Sequence, residues 1–195
     1  MITINEHKSP NYSPRTYHNA HSADLTVAFA VNFYTAGERL TKKAALSSKN
    51  GDLAYLSIDL NQDALTSARS LYSALKRIEK HTGKPTSSLN VAGNGIYTLS
   101  KVNIDQNTVN RYVHDVIAKV HEFIPFTHIV SGGQTGVDIA GAVAGASLNI
   151  PVTLTYPKGF RVRYTDGKDV EETPENLHKI LAEQIEELKQ IPHFI

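Results

Sequence analysis

In this chain an apolar run, Thr127-His128-Ile129-Val130, passes directly into Ser131-Gly132-Gly133-Gln134-Thr135-Gly136-Val137-Asp138, and then into Ala140-Gly141-Ala142-Val143-Ala144-Gly145-Ala146. A buried strand that enters a helix across a side-chain-poor turn is half of a crossover unit, and crossover units build parallel sheets. Each glycine in the helix of about 136–148 costs about 1 kcal/mol relative to alanine. Such a helix suits a tight fit against a sheet or another helix. The turn also has a chemical reading. Glycines let backbone N–H groups approach an anion closely, and the following helix points its positive end at the same spot.

The alternation runs through most of the chain. Residues 25–33 (LTVAFAVNF) form a partly β-branched apolar run that reads as a buried strand. A helix from Thr35-Ala36-Gly37-Glu38 to about Leu46 follows, then a turn at Asn50-Gly51-Asp52 and a strand over 53–58. Asp63 or Asn61 can cap a helix carrying Leu65, Ala68, Leu71, Tyr72, Leu75 and Ile78 on one face, ended by Gly83-Lys84-Pro85. A short strand at 89–92 runs into a second glycine turn, Gly93-Asn94-Gly95. Asp105 opens a strongly periodic helix through Val109, Tyr112, Val113, Val116, Ile117 and Val120, broken by Pro125. Its His114 is expected on the polar side. A strand at 151–155, a loop at 156–160 and a charged segment at 161–172 precede the helix start Thr173-Pro174-Glu175. The predicted fold is α/β: a single domain over 24–195, Rossmann-like and doubly wound, with a mostly parallel sheet and helices on both faces. Residues 1–23, polar and rich in Pro, Tyr and His, read as an extended N-terminal arm.

Composition narrows the function. The 195 residues carry 20 Lys plus Arg against 19 Asp plus Glu, a formal net charge of +1. That balance offers no surplus for nucleic acid or an anionic membrane surface. No cysteine is present, which removes disulfides and thiolate metal sites. The nine histidines show no metal-ligand spacing, so no metal is expected. With no signal-like start and no membrane-length apolar run, a cytoplasmic location is expected, in the host cytoplasm if the gene is viral.

Both glycine turns fall at carboxyl ends of predicted strands, where open α/β sheets collect ligands. In the first, Gly132, Gly133 and Gly136 permit close backbone approach. Ser131 and Thr135 can bond phosphate or ribose, Gln134 a base or sugar, and Asp138 a ribose hydroxyl. The spacing matches neither a dinucleotide fingerprint nor a P-loop. Gly93, Asn94 and Gly95 can form the other wall of one cleft, with Tyr97 either stacking on a base or sitting in the core. Lys158 in Pro157-Lys158-Gly159 is a candidate phosphate contact, and Arg161 and Arg163 are candidate members of an anion clamp. Thr35, Arg39 and Lys42, at the start of the first long helix, lean toward the same end of the sheet.

The octet 131–138, the small-residue helix, Ile150-Pro151 and Pro157-Lys158-Gly159 together resemble the molybdenum-cofactor carrier family. That family belongs to the Rossmann-like superfamily of the lonely-guy phosphoribohydrolases and nucleotide-sensing domains. The match is specific over roughly 127–160. The resemblance implies oligomers and a cleft for a phosphorylated nucleotide or pterin, with Gly132, Gly133, Gln134, Thr135 and Gly136 as the phosphate turn and Asp138 beside it. The phosphoribohydrolases resemble Pro-Gly-Gly-x-Gly-Thr-x-x-Glu. Here Ser131 replaces the proline, Thr135-Gly136 inverts the Gly-Thr order, and Ile139 stands at the glutamate position. Asp138 is one residue early, about 100° around the helix.

The expected function is therefore binding of a phosphorylated, nucleotide-type molecule between the two glycine turns, as a carrier or sequestering protein. The ligand would be a nucleotide, a cyclic nucleotide signal or a molybdopterin-like cofactor, and no further cofactor is required. Two alternatives stand beside it: a nucleotide glycohydrolase or phosphoribohydrolase using Asp138 or Glu38, and a protein-interaction module with a vestigial site. A homo-oligomer is expected, with the Ala/Gly helix and the N-terminal arm as contact surfaces.

Overall fold

The computed structural model describes residues 1–190. Its elements are β1 (Ile2–Glu6), α1 (Tyr12–His21), β2 (Leu25–Ala30), α2 (Ala36–Leu46), β3 (Tyr55–Asp59), α3 (Ala64–Thr82), β4 (Ser88–Gly93), α4 (Ile96–Leu99), α5 (Gln106–His121), β5 (His128–Ser131), α6 (Val137–Ser147), β6 (Val152–Tyr156), β7 (Arg161–Arg163), β8 (Asp169–Glu171) and α7 (Pro174–Gln190). Six strands form one sheet in the order β1-β6-β5-β4-β2-β3, and every neighbouring pair is parallel. This is the Rossmann-like, doubly wound α/β domain that the alternation predicts. The chain steps outward from β2 to β3, then returns past β2 to β4. The winding therefore reverses between β2 and β4, and their carboxyl ends open a crevice there.

The two faces of the sheet differ in kind. One row across it reads Ile4, Leu154, Ser131, Val91, Val27 and Leu56, and another reads Ile2, Val152, Ile129, Leu89 and Leu25. The helix α6 lies on this apolar side so closely that a Cβ on Gly141 would sit 2.6 Å from Val91, and one on Gly145 2.6 Å from Val152. The small residues of α6 are thus required by the approach of helix to sheet. The neighbouring row, on the opposite face, reads Thr3, Thr153, Val130, Asn90, Thr26 and Tyr55. This polar side carries α1 and α2, which pack on each other, while α5 packs on α3, α6 and α7. Side-chain caps start the long helices: Thr35 on α2, Asp63 on α3 and Asp105 on α5. Gly83, at φ 67°, closes α3 in the left-handed region.

Four expectations are corrected. Residues 1–23 are no extended arm: β1 pairs in parallel with β6, and α1 covers the polar face, so the domain begins at residue 2 rather than 24. Ile2 and Ile4 alternate with Thr3 and Asn5, a period of two too short to stand out in a polar stretch. Pro14 lies in the first turn of α1, where no intrahelical N–H is needed. Of the surfaces expected to join subunits, α6 is buried within the chain, while residues 1–23 form the edge strand β1 and the helix α1 on the domain. Residues 161–172 hold an antiparallel hairpin, β7–β8. His114 is buried with its Nδ1 2.9 Å from Asp115 Oδ1, because α5 is enclosed by α3, α6 and α7.

Candidate functional site

At the winding reversal a cavity of about 560 Å³ opens on the polar side of the sheet. Its walls are α1 (Tyr12, Arg15, Thr16, Asn19), the start of α2 (Thr35 to Glu38, then Thr41) and the two glycine turns, with Asn90 and Ala92 of β4 as the floor. Arg163 of the hairpin borders the mouth.

The two glycine turns do not face each other across this space. Ile96 N–H donates to Thr135 O at 3.1 Å and Val137 N–H to Asn94 O at 3.2 Å, so the turns are tied into a single wall. The cavity lies between that wall and the pair α1/α2. Gly93 is glycine because a Cβ would fall 2.0 Å from Phe29 O on β2. Asn94 is buried and fully engaged. Its Oδ1 accepts from Val31 N–H and Asn32 N–H, both at 3.0 Å, and its Nδ2 donates to Asn32 O at 3.1 Å and Glu38 Oε1 at 3.3 Å. It fixes the β2–α2 connection, and with it Glu38, against β4.

The octet 131–138 is knotted by the protein itself. Gly136 N–H donates to Gln106 Oε1 at 2.7 Å, and Gln134 N–H to Asp138 Oδ2 at 3.4 Å. Val137 is engaged as well, so two amides of the expected phosphate turn, Gln134 and Gly136, have internal acceptors. Gln134 holds the hairpin through Arg161 O and Arg163 N–H, and the Thr135 hydroxyl donates to Arg163 O. The Ser131 hydroxyl donates to Val91 O at 2.7 Å and Asp138 O at 3.0 Å, within the core. Gly133, at φ 74°, faces the Tyr156 ring, which a Cβ would meet at 2.2 Å. Gly132, Gln134, Thr135 and Asp138 border the cavity; Ser131, Gly133 and Gly136 stand behind it.

The remaining candidates divide in the same way. Thr35, Gly93, Asn94, Gly95, Tyr97 and Arg163 border the cavity. Tyr97 is 40% exposed, with Lys101 Nζ 3.9 Å from its ring centroid, so it belongs to the rim and not the core. Arg163 is paired with Asp169 at 2.8 Å. Lys158 is exposed and away from the cavity, Arg161 reaches Pro10 O, Arg39 donates to Tyr34 O at 2.7 Å, and Lys42 lies over Tyr55.

Three charged groups define the interior. Arg15, 6% exposed, donates to Gly132 O and to Thr155 O (3.3 Å) and lies 3.7 Å from Asp138. Burial lowers its pKa against the pull of Asp138. Burial in turn lifts Asp138 to about 6, with Arg15 and the Gln134 amide opposing. Burial, reinforced by the charge of Asp138, lifts Glu38 to about 7 against its bond from Asn94. Three lining residues each hold a buried polar atom without a partner: Arg15 Nε, Asn19 Oδ1 and Glu38 Oε2. At the start of α2 the Ala36 and Gly37 N–H groups are exposed on the cavity rim, and among the described residues no acceptor meets them. Of the three interior groups, Glu38 and Asp138 emerge from the sequence. Arg15 and Asn19, one helical turn apart, give a signal only once α1 is known to be a helix.

Among the described residues no group of three or more His, Asp or Glu side chains converges, and no helix is long and apolar enough to cross a membrane. No protein-family model matches the chain, and neither a curated protein nor a solved structure is significantly similar to it.

Proposed function

We propose that the protein binds a nucleotide-type small molecule in the cavity between α1/α2 and the paired glycine turns. The supporting observation is that three residues lining one 560 Å³ space at the winding reversal, Arg15, Asn19 and Glu38, each hold a buried polar atom without a partner. Buried polar groups without partners are costly in a fold that has no use for them. A volume of this size is in the range of small-molecule sites. Glu38 and Asp138 are acceptors suited to ribose hydroxyls. The free amides of Ala36 and Gly37, at the positive end of α2, suit a phosphoryl group. They stand as a second phosphate position beside the 131–136 turn. A pterin presents the same donor and acceptor edge as a base, so the lining fits a molybdopterin-type ligand in the same manner. The resemblance of the octet 131–138 to molybdenum-cofactor carriers accords with this reading, as does a cytoplasmic carrier or sequestering role in a homo-oligomer.

A second reading has its own observation. Two carboxyls lifted to about 7 and about 6 face one cavity, poised near neutral pH for proton transfer. That arrangement suits cleavage of an N-glycosidic bond, with Glu38 protonated as the acid and Asp138, beside Arg15, as the anionic stabiliser. Native mass spectrometry of purified protein, followed by incubation with nucleoside monophosphates, tests both. Intact ligand recovered after denaturation supports binding alone, and free base with ribose phosphate supports cleavage. No co-purifying ligand and no nucleotide-dependent rise in melting temperature would refute the assignment.

A further inference from the structure

We propose that the inner end of the cavity, between α1 and α2, is a subsite for the planar heterocyclic head of the ligand, read by the amides of Asn19 and Asn90. The proposal rests on the cavity being a nucleotide-type site.

The slot follows from how two helices cover a polar sheet face. The C-terminal ends of α1 and α2 are joined by His21 Nε2 and Ser47 Oγ at 3.0 Å. Toward their N-termini both helices border the cavity. Tyr12, Arg15, Thr16 and Asn19 share one stripe of α1 at helical spacing, while Glu38 and Thr41 share one stripe of α2. The floor includes Asn90, three residues before Gly93 on β4. At about 3.3 Å per residue the slot reaches roughly 10 Å below the carboxyl edge of the sheet. A sheet face built only for stability has no reason to place asparagine there. On the other side of the same strand, Leu89 and Val91 are fully buried in the apolar core.

The chemistry at the slot's end is that of an amide pair. Asn19 is 4% exposed and its Oδ1 has no donor. Asn90 is 3% exposed, and its Nδ2 donates to Thr26 Oγ1 at 3.1 Å. A carboxamide offers an acceptor and two donors in one plane, the complement of the edge of a base or pterin. Arg15 Nε, one turn from Asn19, adds an unpartnered donor. A free sugar phosphate presents no planar donor and acceptor edge to the amides of Asn19 and Asn90, whereas a flat heterocycle does.

The test uses the whole protein, with AMP, GMP, CMP, UMP, neopterin and ribose 5-phosphate as probes in isothermal titration and thermal-shift measurements. The expected result is a spread of at least about tenfold in affinity among the heads, as loss of one or two buried hydrogen bonds implies. Asn19→Asp and Asn90→Asp each change the order of preference and weaken the best head by about tenfold, while ribose 5-phosphate stays within about twofold. Neopterin outranking the four nucleotides identifies the head as a pterin, and the reverse as a base. Unchanged ranking in the variants, or ribose 5-phosphate binding as tightly as the best head, overturns the subsite and leaves the nucleotide-type reading in place. Failure of every probe to bind overturns both. Asn19 carries the test alone if Asn90 variants do not fold. Asn19→Leu is expected to raise the ligand-free melting temperature while weakening binding, and a lower melting temperature with unchanged binding would assign the amide to structure.

Discussion

Replacing Glu38 by glutamine isolates the energetic consequence of placing a carboxylate in this cavity. Burial and the charge of Asp138 move the Glu38 pKa from 4.5 to about 7. Such a displacement is worth on the order of 3 kcal/mol. Between pH 4.5 and 7 the unfolded chain has released a proton that the folded protein still holds. The folded state therefore binds more protons, and raising the pH through this window lowers stability; above 7 the contribution is flat. Glutamine keeps an oxygen to accept from Asn94 and does not titrate. The variant is thus expected to match the wild type near pH 4 and to exceed it by on the order of 3 kcal/mol at pH 8, about 6–12 °C in melting temperature for a domain of this size. Asp138 titrates in an overlapping range in both proteins, so subtracting the two curves removes its contribution to first order. Urea denaturation at half-unit steps from pH 4 to 8 measures the difference directly. Parallel stability profiles would refute the claim that Glu38 is buried at a cost, and with it the case for a ligand group that compensates it.

Arg15→Met leaves Asp138 without its counter-charge and is expected to lower stability by about 3–5 kcal/mol at pH 8. The loss shrinks at pH 5, where Asp138 is protonated; a pH-independent loss in chemical denaturation contradicts the pairing. Gly133→Ala combines a left-handed backbone with a Cβ driven into Tyr156, and is expected to cost about 2–4 kcal/mol. Gly95→Ala, with φ −69° and its nearest atom 3.5 Å away, should change stability by less than about 1 kcal/mol; equal effects at the two positions in thermal melts would show that Gly133 is not packed as described. Deleting residues 1–21 uncovers the edge of β6 and one wall of the cavity. The expected outcome is lost ligand-dependent stabilisation and concentration-dependent aggregation in light scattering, against the intact behaviour of a dispensable tail.

Much of the fold is legible because the central strands are long apolar runs and the helices have strong periods. Phe29 and Val91 mark β2 and β4, and Val109 to Val120 mark α5, without any tertiary information. The strand β1 escapes because two isoleucines in a polar context carry little pattern, and α1 because Pro14 looks like a breaker until its place in the first turn is known. The octet 131–138 marks part of the cavity wall: Gly132, Gln134, Thr135 and Asp138 border it. Two of its amides, Gly136 and Val137, meet acceptors from Gln106 and Asn94 that lie far away in sequence, and no local rule announces such a cap. Lys158 and Arg39 do not line the cavity, because charge in a sequence says nothing about where a side chain points. The buried Arg15, the counterpart they were expected to supply, looks in sequence like any surface arginine.

The strand β1 meets its partner about 150 residues later in the chain, Ile2 beside Val152. Closing a loop of that length costs on the order of 4 kcal/mol in chain entropy. During synthesis, β1 and α1 must wait until β6 has emerged before they can dock, so the cavity acquires its second wall only when most of the chain is made. A ligand gripping both Arg15 and Asn90 would act as a rivet across this late seam. Its arrival should show first as protection of the N-terminal twenty residues from proteases and hydrogen exchange, well before any change in the apolar half of the sheet.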